Sequence, residues 1–296
     1  MTTTTTPPLS LPLPLPRMRI VRHPLKYRLL DVKRVQRITP GTVRVTFAGD
    51  ALDGFCEQAP TDHVKLCFAE PGRELPIEPV VENDTWMDAP EEPVTRDYTV
   101  RQYRREAREL DIDMVLHGTG VGSGWAAAAR PGMRLGVLGP RGSEEIDFVH
   151  DWYLLGADET ALPALARWLE MLPAGVKVLA FAEVPGIEDE QQLATATDAT
   201  VVWLHRGAAA PGTTDHLERA LRAAELPPGT GFAWVAGEAT TLRPIRRHLR
   251  RERGLSRDQV DVDGYWKRGT ANHDHHEDEH APDPDHPLAD GSAPHA

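Results

Sequence analysis

Three short blocks carry the residues best suited to chemistry. Arg96-Asp97-Tyr98-Thr99-Val100-Arg101 sets an aromatic ring between guanidinium groups, Asp113 to Gly118 ends in His117-Gly118, and Gly120-Val121-Gly122-Ser123-Gly124-Trp125-Ala126 is a glycine-rich turn opening a helix. A flavin asks for such a set: an aromatic face for its ring, donors for the ring edge, and cations or backbone N–H groups for its pyrophosphate. Tyr98 is placed to stack on an isoalloxazine, Arg96 or Arg101 to pair with phosphate in forked geometry, and Gly122-Ser123 to offer backbone N–H groups at a helix start. On the Arg-x-Tyr-Thr block alone, a strand with exposed arginines before a glycine turn remains an equal alternative.

A second set lies further along. Gly156-Ala157-Asp158-Glu159-Thr160 ends an apolar run and opens a helix, the place where open α/β sheets bind ligands, although it is not a GxGxxG fingerprint. Ala236-Gly237-Glu238 follows a strand in the same way. The plainer readings are that Asp158 and Thr160 cap a helix and that Glu238 partners a helix dipole. Residues 241–253 carry Arg243, Arg246, Arg247, Arg250, Arg251 and Arg253 around Leu242, Ile245 and Leu249. That pattern is a solvated basic face, a clamp on the extra phosphate of NADPH, or a docking face for an acidic electron donor.

The elements that must position these residues fall into two halves. The chain has 296 residues, room for two domains. From about residue 28 to 140, short alternating strands at 42–47, 64–68, 98–103, 112–117 and 135–138 with one helix at 123–129 predict a closed antiparallel barrel. Residues 70–94, rich in Pro and acid, read as an exposed loop inserted between barrel strands. After about residue 151, strands at 153–156, 176–182, 201–204 and 232–236 alternate with helices, one carrying Leu162, Leu165, Leu169 and Leu172 on one face with Thr160 as its N-cap. Further helices are expected near 214–224 and 241–253. The fold class is thus α+β in two domains: an antiparallel β-barrel domain (18–148), then a doubly wound α/β domain (149–269).

A leader (1–17) and a His/Asp-rich tail (270–296) flank them and read as disordered. The net charge of −12 argues against a nucleic-acid partner, and seven of the acids lie in the tail. The tail also holds six histidines, read as adventitious metal affinity rather than a physiological metal store. Cys56 and Cys67 form no disulfide framework or metal spacing, and no apolar run reaches membrane-spanning length. The expected location is the cytoplasm, without membrane insertion.

Taken in order, the blocks resemble the siderophore-interacting protein family, ferric-siderophore reductases within the ferredoxin–NADP reductase-like flavoproteins. HVKL at 63–66, RDYTVR at 96–101, IDMVLHG at 112–118, the glycine block ending at Trp125, GPRGS at 139–143, GADETALPAL at 156–165, WVAGE at 234–238 and GYWKRG at 264–269 carry the resemblance. It implies that the barrel is an FAD-binding domain and the second half an NAD(P)-binding-like domain, with FAD contacts from Arg96, Tyr98, Thr99, Val100, Arg101, His117, Gly118, Gly122, Ser123 and Trp125. It implies NAD(P)H contacts from Gly156, Asp158, Glu159, Thr160, Gly237 and Glu238, with the flavin between the domains. Basic residues for an anionic ferric siderophore would be Lys65, Arg141 and Lys267. The chain departs from the family's usual Gly-Pro-Ala-Ser-Arg-Trp: Ser123 and Trp125 match, whereas Val121 replaces the proline and Gly124 the arginine. The loop is freer before binding, and one cationic contact is lost.

The expected chemistry is electron transfer from NAD(P)H, or from a ferredoxin-like donor, through FAD to Fe(III) held in a siderophore. It needs no catalytic acid, nucleophile or protein metal ligand. The alternatives are a flavin reductase with another acceptor and a non-catalytic siderophore- or iron-binding protein.

Overall fold

The computed structural model describes residues 19–118 and 120–273. The proposed leader and the residues of the proposed tail from 274 onward lie outside the described residues. The first half contains β1 (Arg19–Arg22), β2 (Tyr27–Thr39), β3 (Thr42–Ala48), β4 (His63–Phe68), β5 (Val81–Glu82), β6 (Thr85–Trp86), β7 (Val94–Thr99), β8 (Gln102–Arg104), β9 (Glu109–Val115), α1 (Val121–Ala128), β10 (Arg134–Leu138) and β11 (Gly142–Glu145). Seven of the strands form one antiparallel sheet in the order β7-β4-β10-β2-β3-β9-β8. Its ends meet because β7 and β8 are consecutive in the chain, and between them the Arg101 N–H donates to the Asp111 carbonyl at 3.0 Å. Alternation decides which face is inside: Val43, Val45 and Phe47 of β3, Val64 and Leu66 of β4, and Leu110, Ile112 and Met114 of β9 fill the barrel. The helix α1 packs Ala126 and Trp125 on that core, with the Trp125 ring 6.0 Å from Phe47 and 6.1 Å from Phe68.

Two expectations change here. The strand expected at 98–103 is broken at Val100-Arg101, where the chain passes from one end of the sheet to the other. Residues 70–94 are not a bare loop: they hold the β5–β6 hairpin, whose turn residues Asn83 and Asp84 take the left-handed φ values of 49° and 59° that such tight turns require. Val81 and Trp86 pack on Leu25, Cys67 and Leu138, and Asp84 Oδ1 accepts the Leu25 N–H.

The second half contains β12 (Trp152–Ala157), α2 (Leu162–Met171), β13 (Lys177–Val184), β14 (Asp198–His205), α3 (His216–Ala223), β15 (Gly231–Glu238), α4 (Ala239–Arg247) and β16 (Val260–Trp266). All five strands are parallel, in the order β14-β13-β12-β15-β16. The central strand β12 is apolar along its whole length because helices cover both faces of the sheet: Leu162, Leu165, Trp168 and Leu169 of α2 on one, and Leu217, Leu221, Leu242 and Ile245 of α3 and α4 on the other. The winding direction reverses between β12 and β15, so their carboxyl ends, Ala157-Asp158 and Gly237-Glu238, flank the switch point.

The capping differs from expectation. Thr160 is not the N-cap of α2, which starts after Ala161 with Pro163 in its first turn. Instead Asp158 Oδ1 accepts both the backbone N–H and the hydroxyl of Thr160, at 2.9 and 2.6 Å, tightening the turn before the helix. Glu238 caps α4 by accepting the N–H groups of Thr240 and Thr241 at 2.8 and 2.9 Å. The helix ends in a wider π-type turn at His248–Glu252. Arg246 of α4 donates to the Val262 carbonyl and Arg253, just past the turn, to the carbonyls of Arg222 and Ala224, so part of the arginine-rich face braces the domain.

The seam between halves is polar. Arg101 pairs with Glu170 of α2, Arg167 of α2 pairs with Glu57 and donates to the Ala59 carbonyl, and the Gly41 N–H donates to Asp189 Oδ1 at 2.9 Å. Thr99 at the end of β7 lies beside the Tyr265 hydroxyl of β16.

Candidate functional site: a flavin cradle at the seam

Register decides which of the candidate residues meet. Arg96 and Tyr98 lie opposite Leu66 and Val64 of β4, so both side chains share the face that covers the barrel core. Tyr98 reaches the first turn of α1, where its hydroxyl touches Gly122 so closely that a β-carbon at 122 would collide with it. Burial pushes the Tyr98 phenol up to about 12, so it is a neutral surface near physiological pH. Gly118 and Gly120 turn the chain with φ of 76° and 89°, and the Ser123 hydroxyl accepts the His117 N–H at 2.9 Å, folding the loop onto the helix. Gly124 is the first residue of the turn whose N–H bonds back, to the Gly120 carbonyl. The N–H groups of Val121, Gly122 and Ser123 have no intrahelical acceptor.

These features fit a flavin dinucleotide. A Cβ at 122 would fill the space where ring and helix start converge, and the helix N-terminus presents N–H groups and positive potential beside it. Arg96 donates from Nη1 to its neighbour's carbonyl, Thr95 O, at 2.6 Å, leaving its other donors for phosphate. Arg101 is engaged across the seam with Glu170, Val100 is buried with its N–H on the Asp62 carbonyl, and Trp125 packs in the barrel. His117 is exposed beside Gly120.

On the α/β side, Gly156 is a close-packing position, since a Cβ would lie 2.9 Å from Val235 Cγ1. Asp158 Oδ2 accepts the Trp266 indole N–H at 2.7 Å, and Glu238 Oε1 accepts the Arg268 N–H at 3.1 Å. Gly237 at φ 155° lets these strand ends approach, for a Cβ would sit 2.7 Å from Asp158 Oδ2. The two acids therefore hold residues 266–268 across the switch point. Glu159 forms a forked pair with Arg206, while burial and the adjacent Asp158 charge push its carboxyl up to about 7. A cavity of about 150 Å³ opens beside them, lined by Asp158, Glu183, Gly237, Glu238 and Thr241 among others.

The three cations proposed for an anionic substrate differ in state. Lys65 contacts both carboxylate oxygens of Asp97 at 2.9 Å. Among the described residues the side chains of Arg141 and Lys267 have no partner. Lys65 lies opposite Leu138, three residues before Arg141, and Thr99, beside the Tyr265 hydroxyl, lies opposite His63 on β4. Register thus gathers all three near one end of the β7-β4-β10 ladder. Sequence reasoning missed Tyr265, Trp266, Arg206 and Glu170. Tyr265 and Trp266 stood in the GYWKRG block, but nothing local shows that a terminal strand returns to the switch point.

A flavin cradle on an antiparallel barrel, joined to a parallel sheet with an open switch point, defines a two-domain FAD and NAD(P)H oxidoreductase. The chain belongs to the siderophore-interacting protein family: residues 31–144 match the model of the siderophore-interacting FAD-binding domain and 150–269 that of the siderophore-interacting protein. It is 36% identical over 257 residues to the ferric vibriobactin reductase ViuB of Vibrio cholerae, covering 86% of this chain and 94% of that one. It is 35% identical over 251 residues to the NADPH-dependent ferric-chelate reductase of Escherichia coli, covering 83% and 95%. The crystal structure of a siderophore utilization protein from T. fusca superposes with a TM-score of 0.83 at 50% identity, covering 87% of this chain and 99% of that one.

Proposed function

We propose that this protein is an FAD-dependent reductase of ferric siderophores that takes electrons from NAD(P)H and frees iron in the cytoplasm. The observation that carries the reading is the convergence of Tyr98, Gly122 and the open N–H groups of α1 beside the seam. FAD bound there supplies the conversion of a hydride's two electrons into the single electrons that Fe(III) accepts. Tyr98 would cover one ring face, while Arg96 and the start of α1 would neutralise the pyrophosphate. Asp158 and Glu238, by holding residues 266–268, shape the entry for the nicotinamide. Lys65, Arg141 and Lys267 attract an anionic chelate to the flavin edge. Iron leaves after reduction because hard oxygen ligands hold Fe(III) better than Fe(II).

Anaerobic stopped-flow mixing tests this reading. NADH, NADPH and a reduced ferredoxin are offered in turn to the FAD-loaded protein, and a panel of ferric chelates follows. Bleaching by a nicotinamide nucleotide and rapid recolouring by ferric siderophores is expected. Recolouring by quinones or free flavin but not by ferric siderophores would contradict it.

A further inference from the structure

Between Lys65 and Arg141 runs a polar chain that the reading above does not use. The Ser143 hydroxyl of β11 donates to Asp62 Oδ2 at 2.7 Å, and His23 Nε2 lies 2.7 Å from the Ser143 hydroxyl oxygen. A serine has one hydroxyl proton, and Asp62 receives it, so His23 must donate through Nε2–H. The ring's other nitrogen, Nδ1, has no partner among the described residues, and His23 is only partly buried. Behind it, Ser143 is 1% and Asp62 2% exposed. The Gln58 and Ala59 N–H groups fix Asp62 Oδ2 at 2.6 and 3.1 Å, while Oδ1 is buried without a partner among the described residues. His23 also donates its backbone N–H to the Arg141 carbonyl at 2.9 Å, and Asp62 stands three residues before Lys65.

We propose that His23 is the proton donor to the siderophore oxygen that leaves iron on reduction. The proposal rests on the reading that the anionic chelate binds beside Lys65 and Arg141. Catecholate and hydroxamate oxygens bind Fe(III) as anions, and a freed anion recaptures metal unless it is protonated. One electron from the reduced flavin, supplied by NAD(P)H, converts Fe(III) to Fe(II). The iron–oxygen bond then breaks, and that oxygen takes the proton from Nδ1–H of the His23 imidazolium. The neutral ring keeps Nε2–H on Ser143 and regains its proton from solvent. The charged groups around the ring are Asp62, reached through Ser143, Arg22 beside it, and Arg141 just before the paired strand. Asp84, accepting the Leu25 N–H, adds a second negative charge nearby. Histidine suits the task because its charge changes near neutral pH.

The test uses pre-reduced, FAD-loaded protein, anaerobic mixing with the iron(III) complex of a synthetic tris-catecholate, and a ferrous-specific chromogenic trap. Wild-type release should slow by at least about tenfold as pH rises from about 6 to about 8. His23→Gln should be slow throughout with a flat profile, and Ser143→Ala, which leaves Nδ1 in place, should keep the pH-dependent profile. Ferric oxalate, whose ligands are all carboxylates that need no proton in that range, should be released alike by wild type and H23Q. A wild-type profile in H23Q overturns the proposal, as does an equal loss on catecholate and oxalate. If Arg141→Ala leaves the chelate KM unchanged, the binding-site reading itself fails, which is a separate result.

Discussion

Arg101, in the barrel, donates through both terminal guanidinium nitrogens to the two carboxylate oxygens of Glu170 on α2, at 3.0 and 2.6 Å. The residue whose type and position suit a phosphate instead ties the domains together. Arg101 is 14% exposed and Glu170 35%, so water screens the pair in part. A double-mutant cycle with R101A and E170A should give a coupling of about 1 kcal/mol that shrinks with added salt. A coupling unchanged by salt would contradict a screened ion pair.

Gly122 should be irreplaceable for a different reason. Gly122→Ala drives a β-carbon into the Tyr98 hydroxyl, and FAD affinity should fall at least about tenfold, equivalent to about 1.4 kcal/mol. Tyr98→Phe removes the colliding atom and keeps the ring, so the G122A/Y98F double variant should recover much of the loss. Fluorescence titration with FAD measures all three variants. An unaltered affinity in G122A would show that ring and helix do not meet in solution.

The substrate cations should separate by their partners. Arg141→Ala and Lys267→Ala should raise KM for an anionic ferric chelate about tenfold while leaving flavin reduction by NADPH unchanged. Lys65→Ala should cost less, because Asp97 already neutralises that ammonium. Steady-state kinetics at low and high salt checks the order, and a larger effect at Lys65 would reverse it.

Acid stability should report on Glu109, whose carboxylate bonds with Lys33 and Arg104 lower it from 4.5 to about 2. A lowered carboxyl stabilises the fold above its unfolded value, and that contribution disappears as pH falls through the folded value. Wild-type melting temperature should therefore drop between pH 4.5 and about 2. Glu109→Gln should be less stable at neutral pH and show a shallower fall over that window. Equal slopes for the two proteins would contradict the assignment.

Much of this architecture could be read from local pattern. The alternation in β3 and β4 and the leucine spacing of α2 are imposed by one buried face, and each appears within a few residues of sequence. Tyr98 and Gly122 were recognisable by type. Their contact was not, because it depends on β7 placing Tyr98 opposite Val64 with α1 closing over it. Arg101 shows the limit most clearly: a phosphate, Asp113 and Glu170 all suit a guanidinium, and only the docking of α2 selects Glu170. Thr160 had the right chemistry for an N-cap, but Asp158 captured both of its donors. The return of β16, which delivers Trp266 to Asp158, depends on sheet order rather than on any local signal.

Crystals of the protein grown with FAD provide the most direct test. The account predicts density for an isoalloxazine against the Tyr98 ring at the seam, with the pyrophosphate on the N–H groups of Val121 to Ser123. Density elsewhere, or a Tyr98 ring still packed on Gly122 with no flavin beside it at saturating cofactor, would contradict it.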